Sequence, residues 1–145
     1  MRRLLVLLVV LAVGLTAPLA LGASSHDEKF TADLSGAAEV PDPGAPNGTG
    51  SVAFTLNEET GKACWTFSGL SGLEGKPLLA HIHKGKAGQA GDVVVPLGER
   101  YKRKGCVTAN KAALRKITAK PGNYYANVHT DKYPAGVVRG QLQAA

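Results

Sequence analysis

From Phe30 onward, apolar residues recur at every second position, in runs too short and too often interrupted for helices. Phe30, Ala32 and Leu34 alternate with polar neighbours, and Val52, Phe54 and Leu56 alternate with Ser51, Ala53 and Thr55. Ala63, Trp65 and Phe67 share a third such face, with Cys64 turned the other way. A period of two matches the pleat of a half-buried strand. Leu78 to His83, Val93 to Leu97, Tyr124 to Thr130 and Val137 to Leu142 bring the total to about seven runs. Between them lie a Pro/Gly-rich loop from Pro41 to Gly50, a hairpin connection from Asn57 to Gly61 and a turn around Tyr133 to Gly136. The stretch from Thr108 to Thr118 differs. It predicts a helix capped by Thr108, with Ala112, Ala113 and Ile117 on one side, stopped by Pro121-Gly122-Asn123. Trp65, Phe67 and Tyr125 are assigned to the core. The pattern predicts an all-β domain, an antiparallel β-sandwich or flattened Greek-key barrel with one short helix.

The chain has 145 residues, room for one such domain. Its first part does not belong to it. Arg2 and Arg3 precede an uncharged, Leu/Val/Ala-rich run from Leu4 to Ser25 that ends in small residues, the layout of a secretory signal. Gly14 and Pro18 interrupt the run, which favours a cleaved signal over a membrane anchor. The expected division is a signal peptide over 1–23, a polar tail over 24–29 and the domain over 30–142. The expected location is secreted or extracytoplasmic, with no membrane span after cleavage. Cys64 and Cys106, an even pair in an exported chain, predict a disulfide; the alternative is a two-thiolate metal site, for which no neighbouring CxxC or CxxH exists. Without Arg2 and Arg3, fifteen basic residues face eleven acidic ones, a net charge of about +4. That balance does not point to nucleic acid. Arg100, Lys102, Arg103 and Lys104 sit together, and Lys111, Arg115, Lys116 and Lys120 follow on the helix. They read either as a solvated surface or as a docking site for an anionic envelope polymer.

Three of the four histidines fall inside strands. His81 and His83, two residues apart, leave one face of one strand, and His129 lies on a later strand whose same face carries Tyr125 and Asn127. Two imidazoles at i and i+2, joined by a third from a neighbouring strand, make a three-nitrogen set suited to copper or zinc. The alternative is that the rings pack structurally and donate to backbone carbonyls. A Gly-rich loop, Lys84 to Gly91, follows the pair and is free to approach a ligand closely. His26 has a conditional role: if cleavage leaves Ser24 first, its imidazole and the chain amine form a square-planar Cu(II) or Ni(II) site. Asn47-Gly48-Thr49 is a formal glycosylation sequon. No Ser-His-Asp set, phosphate loop or carboxylate pair beside the histidines is legible.

Several of these segments resemble the CHRD family, the domain named from chordin. They are Phe30 to Gly36, Glu39-Val40-Pro41, Gly50 to Leu56, Ala80-His81-Ile82-His83 with its Gly-rich loop and Val93-Val94, Tyr125 to Thr130, and Pro134 to Leu142. The resemblance implies an all-β extracellular domain. The Ala80–His83 and Asn127–His129 segments are also similar to copper-zinc superoxide dismutase. That likeness implies His81, His83 and His129 as copper ligands and Arg139 as the catalytic guanidinium that draws in a small anion such as superoxide. Lys84 and Lys86 could assist it, or be plain loop residues. No second histidine set for zinc is present, so the activity implied is copper-only. The expectation is a secreted copper-binding CHRD-domain protein with superoxide-dismutase-like redox activity; the alternative is a non-enzymatic interaction module of the cell envelope.

Overall fold

The computed structural model describes residues 26–145; the expected signal peptide and the Ser24 start lie outside them. Nine strands and one helix follow in order: β1 Asp27–Ser35, β2 Thr49–Asn57, β3 Lys62–Ser71, β4 Pro77–Lys84, β5 Val93–Pro96, β6 Lys104–Thr108, α1 Lys111–Ala119, β7 Tyr124–Thr130, β8 Val138–Gln141 and β9 Gln143–Ala144. All pair antiparallel in one curled sheet ordered β5-β4-β7-β8-β1-β2-β3-β6. Its two halves enclose a single core in which Phe30, Phe54, Trp65 and Phe67 meet Ile82, Val95, Ala126 and Val128. Among the described residues, no helix is long and apolar enough to cross a membrane.

The halves meet at β1. At one end its Ser35 pairs with Arg139 of β8; at the other, Phe30 and Thr31 pair with Ala144 and Gln143 of β9. The final segment therefore leaves β7, which β8 pairs through Gln141 to Val138, and crosses to β1 around the buried Leu142. Strands that turn a corner in this way let a sheet close over its own core.

Three details differ from the alternation. β1 begins at Asp27, opposite Asn57, so the last residues of the expected tail are strand. β6, whose residues show no alternation that predicts a strand, is an edge strand with solvent on one side, and there a lysine or threonine costs little. Its Cys106 faces Cys64 directly, and the two form the disulfide. The helix starts later than expected because Thr108 ends β6; Asn110 is the cap, its Oδ1 accepting the Ala113 N–H at 3.1 Å. Leu114 and Ile117 are then the buried pair, while Ala112 is exposed. The larger side chain takes the inward position because it removes more apolar area from water.

Candidate metal centre

β4 and β7 are neighbours in the sheet, and their register sets Leu79 opposite His129, His81 opposite Asn127 and His83 opposite Tyr125. Alternation sends Ala80, Ile82, Ala126 and Val128 into the core. His81, His83, Tyr125, Asn127 and His129 leave by the other face. β8 continues that face, with Arg139 opposite Asn127 and Gln141 opposite Tyr125. The outer face of these three strands is thus a polar layer. His81 and His129 are diagonal neighbours across the ladder, a spacing that long side chains bridge.

The three imidazoles converge, with ligating nitrogens within 4.8 Å of one another. Hydrogen bonds fix which nitrogens face the centre. His83 Nδ1 lies 2.9 Å from the Gly91 carbonyl and His129 Nδ1 lies 3.0 Å from the Pro134 carbonyl. A carbonyl only accepts, so both protons sit on Nδ1 and both Nε2 atoms carry lone pairs. His81 Nδ1 stands 3.0 Å from His129 Nε2 and donates to it. The inward atoms are therefore His81 Nδ1, His83 Nε2 and His129 Nε2; of these His81 Nδ1 carries a proton, which must move to Nε2 of the same ring before that nitrogen can ligate a metal. His83 and His129 are thus oriented through the opposite ring nitrogen, as ligating histidines typically are.

All three rings are held below the ordinary imidazole range. For His81 burial acts first, then repulsion from His129 and His83, and its value falls to about 4. Burial also lowers His83 and His129, against the opposing pull of the Gly91 and Pro134 carbonyls. Neutral imidazole is the form that binds metal.

Whether these residues fit a metal is tested by one atom. His83 is 9 % exposed, and its Nε2 is buried with no hydrogen-bond partner, leaving its lone pair uncommitted. Buried nitrogens without partners are rare in folded proteins. The donor set is all imidazole, which suits copper and zinc. The residues fit.

Tyr125 is buried as expected but belongs to this layer rather than to the core. Its ring stacks on His83 at 4.8 Å and 9°, and the Arg139 guanidinium lies 3.4 Å from the ring's other side. Arg139, expected to meet an incoming anion, is 1 % exposed. Its Nη2 donates to the Lys86 and Gln89 carbonyls, both at 2.8 Å, and to Gln141 Oε1 at 3.3 Å. Gln141 Nε2 in turn donates to the Gly85, Gly122 and Tyr124 carbonyls. Arg139 and Gln141 thereby tie the Gly-rich loop down over the layer. The loop's far end has no room for a side chain: a Cβ on Gly91 would stand 1.7 Å from the Lys84 carbonyl oxygen.

Glu39, which sequence reasoning missed, reaches the layer from the loop after β1. It is 4 % exposed, and burial pushes its carboxyl up to about 7 against the opposing charge of Arg139. Gly136 admits it: with φ at +149°, a Cβ there would fall 2.2 Å from Glu39 Oε1. The alternation of Tyr125, Asn127 and His129 marked the face, but nothing periodic marks a residue arriving from a loop. Lys84 and Lys86 are exposed. His26 stays apart, 3.1 Å from Glu59. A cavity of about 240 Å³ beside Arg139 is walled by Ala37, Ala38, Val40, Ala87 and Gly88, and none of the three histidines lines it. The imidazoles are instead addressed from the solvent side, where His81 and His129 are half-buried.

Fold and site together define a disulfide-bonded, all-β domain with a three-histidine cluster on the outer face of its sheet. A scan against protein-family models matches the CHRD domain over residues 30–142. The chain belongs to the CHRD domain family. Searches of curated proteins and of solved structures gave no match.

Proposed function

We propose that this chain is an exported domain that binds copper through His81 Nδ1, His83 Nε2 and His129 Nε2 and uses it in one-electron chemistry on a small anion such as superoxide. The observation that carries the reading is the convergence of three neutral imidazoles from two adjacent strands within 4.8 Å. Copper held there would supply exchange between the Cu(II) and Cu(I) states. The chain's own residues do the rest. The Gly91 and Pro134 carbonyls orient two rings, and the Tyr125 ring shuts water from one side of His83. Arg139 acts from beneath as a positioning residue. The exposed Lys84 and Lys86 raise the positive potential around the site, which speeds the arrival of anions and does so less at high salt.

Export is supported by the Cys64–Cys106 disulfide, which fits an oxidising compartment. Intact-mass measurement of the exported protein tests it; a mature chain that still carries residues 1–23 would reject the cleaved signal.

The metal reading is tested by titrating the purified domain with Cu(II) and recording its electron paramagnetic resonance spectrum. One equivalent should give a nitrogen-coordinated signal, lost in both His81→Ala and His129→Ala. Superoxide consumption by the loaded parent then tests the redox step. The second reading is a non-enzymatic interaction module, and it too has an observation behind it. His81 already donates to His129, and the other two rings clip loops through carbonyls. Absence of stoichiometric copper binding in the parent would leave that reading in place.

A further inference from the structure

We infer that the segment from Arg100 to Lys120 is a docking stripe for an anionic polysaccharide, a binding surface independent of the histidine cluster. Its charge is concentrated along the sequence, with Glu99 bordering Arg100 and Lys102 at one end and Glu58 accepting from the Thr118 hydroxyl on the helix at 3.0 Å. Arg100, Lys102, Arg103, Lys104, Lys111, Arg115, Lys116 and Lys120 fall within it, and no Asp or Glu does. The remainder of residues 26–145 carries seven basic against eleven acidic side chains. All eight cations are exposed. The ion pairs among the described residues join His26 to Glu59 and Lys132 to Glu74, so they neutralise none of the eight.

The fold anchors the backbone that carries these charges. β6 is the edge strand beyond β3, with its outer side unpaired. Four cations lie at its entrance, three follow on α1 and Lys120 comes directly after the helix. The helix turns Leu114 and Ile117 inward, which leaves Lys111, Arg115 and Lys116 exposed, and Lys120 caps its C-terminal end, also exposed. The backbone at the entrance is anchored: the Lys102 carbonyl accepts the Trp65 indole N–H at 2.9 Å, and the Arg103 carbonyl accepts the Phe67 N–H at 2.8 Å. The disulfide pins the strand at its middle. Cations carried on an anchored backbone lose less freedom on binding than those of a mobile tail. At about 3.3 Å per residue, the five-residue strand alone sets the two groups of cations roughly 15 Å apart, the scale of a polymer with repeating charges rather than of a single ion.

Chemistry selects the polymer. Of the exposed large apolar side chains, Leu78 borders the stripe, its carbonyl accepting the Tyr101 N–H at 2.6 Å, and one leucine is too little apolar surface to seat the stripe in a bilayer. Trp65 is buried and Tyr101 packs its ring on Phe67 at 5.5 Å, so no aromatic platform is offered to bases. The disulfide on β6 fits an oxidising compartment, where sulfated and carboxylated sugar polymers are encountered.

The test uses the mature domain and a heparin oligosaccharide as probe, titrated at several salt concentrations. Two charge-reversal pairs, Arg103→Glu/Lys104→Glu and Arg115→Glu/Lys116→Glu, sample the two ends of the row. Lys29→Glu/Lys76→Glu makes the same change in net charge elsewhere. Each stripe pair should weaken binding about tenfold or more and flatten its salt dependence, while the control changes it by less than about threefold. Circular dichroism and thermal melting of every variant establish that it is folded. His81→Ala should leave heparin binding unchanged, which separates this surface from the copper reading. Equal losses in the control and stripe pairs would reduce the effect to net charge and overturn the proposal. So would tighter binding to duplex DNA or to phosphatidylserine vesicles than to the oligosaccharide, or no binding at low salt.

Discussion

At the scale of single residues, Arg139 is the position on which most of the outer layer leans. A guanidinium is rarely buried without partners for its donors. Here Nη2 meets the Lys86 and Gln89 carbonyls and Gln141, and the Tyr125 ring covers the guanidinium, while Nη1 is buried without a partner. Lysine keeps the charge but loses the planar fork and the stack. Arg139→Lys should therefore lower stability by about 1–3 kcal/mol in a denaturant titration. Amide hydrogen exchange should rise first between Gly85 and Gly91. Unchanged exchange in that loop would remove the clamping role. Glu39 gives a second test, with a definite sign. Its carboxyl titrates near 7 in the folded protein against 4.5 ordinarily, so the folded state holds the proton more tightly. Its contribution to stability is full below pH 4.5 and is lost as the pH rises through 7. Glu39→Gln should gain thermal stability relative to the parent across that window, and a constant offset at all pH values would contradict this account. The positions of Tyr125, Asn127 and His129 on one face were legible from a period of two. The loop residue Glu39 and the packing role of Arg139 were not, because each depends on contacts with distant parts of the chain.

At the scale of elements, β6 and α1 show where sequence reading falls short. Lys104 to Thr108 alternates only weakly, since an edge strand buries little on either side and its pairing with β3 is a property of the sheet. Once that strand consumes Thr108, the helix has to begin with Asn110 as its cap. The longer, half-buried strands were legible because each displays a full apolar face. β6 therefore relies on its covalent tie. Cys64 and Cys106 are separated by 42 positions, and closing such a loop contributes about 3–4 kcal/mol in the chain-entropy model. Cys64→Ser/Cys106→Ser should lose an amount of this order, measured as a shift of the urea midpoint. Proteolysis should then fall first on residues 100–110. Cleavage elsewhere would show that the edge is held by other means.

At the scale of the whole molecule, the one curled sheet divides its duties by face. Within β4, Ala80 and Ile82 serve the core while His81 and His83 serve the outer layer, and β7 repeats the division with Ala126 and Val128 against Asn127 and His129. The two faces should therefore fail separately. Replacing all three histidines by glutamine should cost about 1–3 kcal/mol, a few hydrogen bonds' worth, and leave a cooperative melt. Ile82→Ala, one substitution on the inner face of the same strand, should cost about 2–5 kcal/mol. Comparable losses of copper in the two variants would argue against this independence. The antiparallel all-β architecture was legible because it follows from the inner face alone, which any alternating sequence reveals. The closure of the sheet at β1 was not, because β8 and β9 touch that strand through only a few residues. A scaffold whose interior is specified by one set of alternate positions leaves the other set free to drift or be redesigned. Descendants of such a domain could lose the imidazoles, or exchange them for other donors, and still fold around the same unaltered centre.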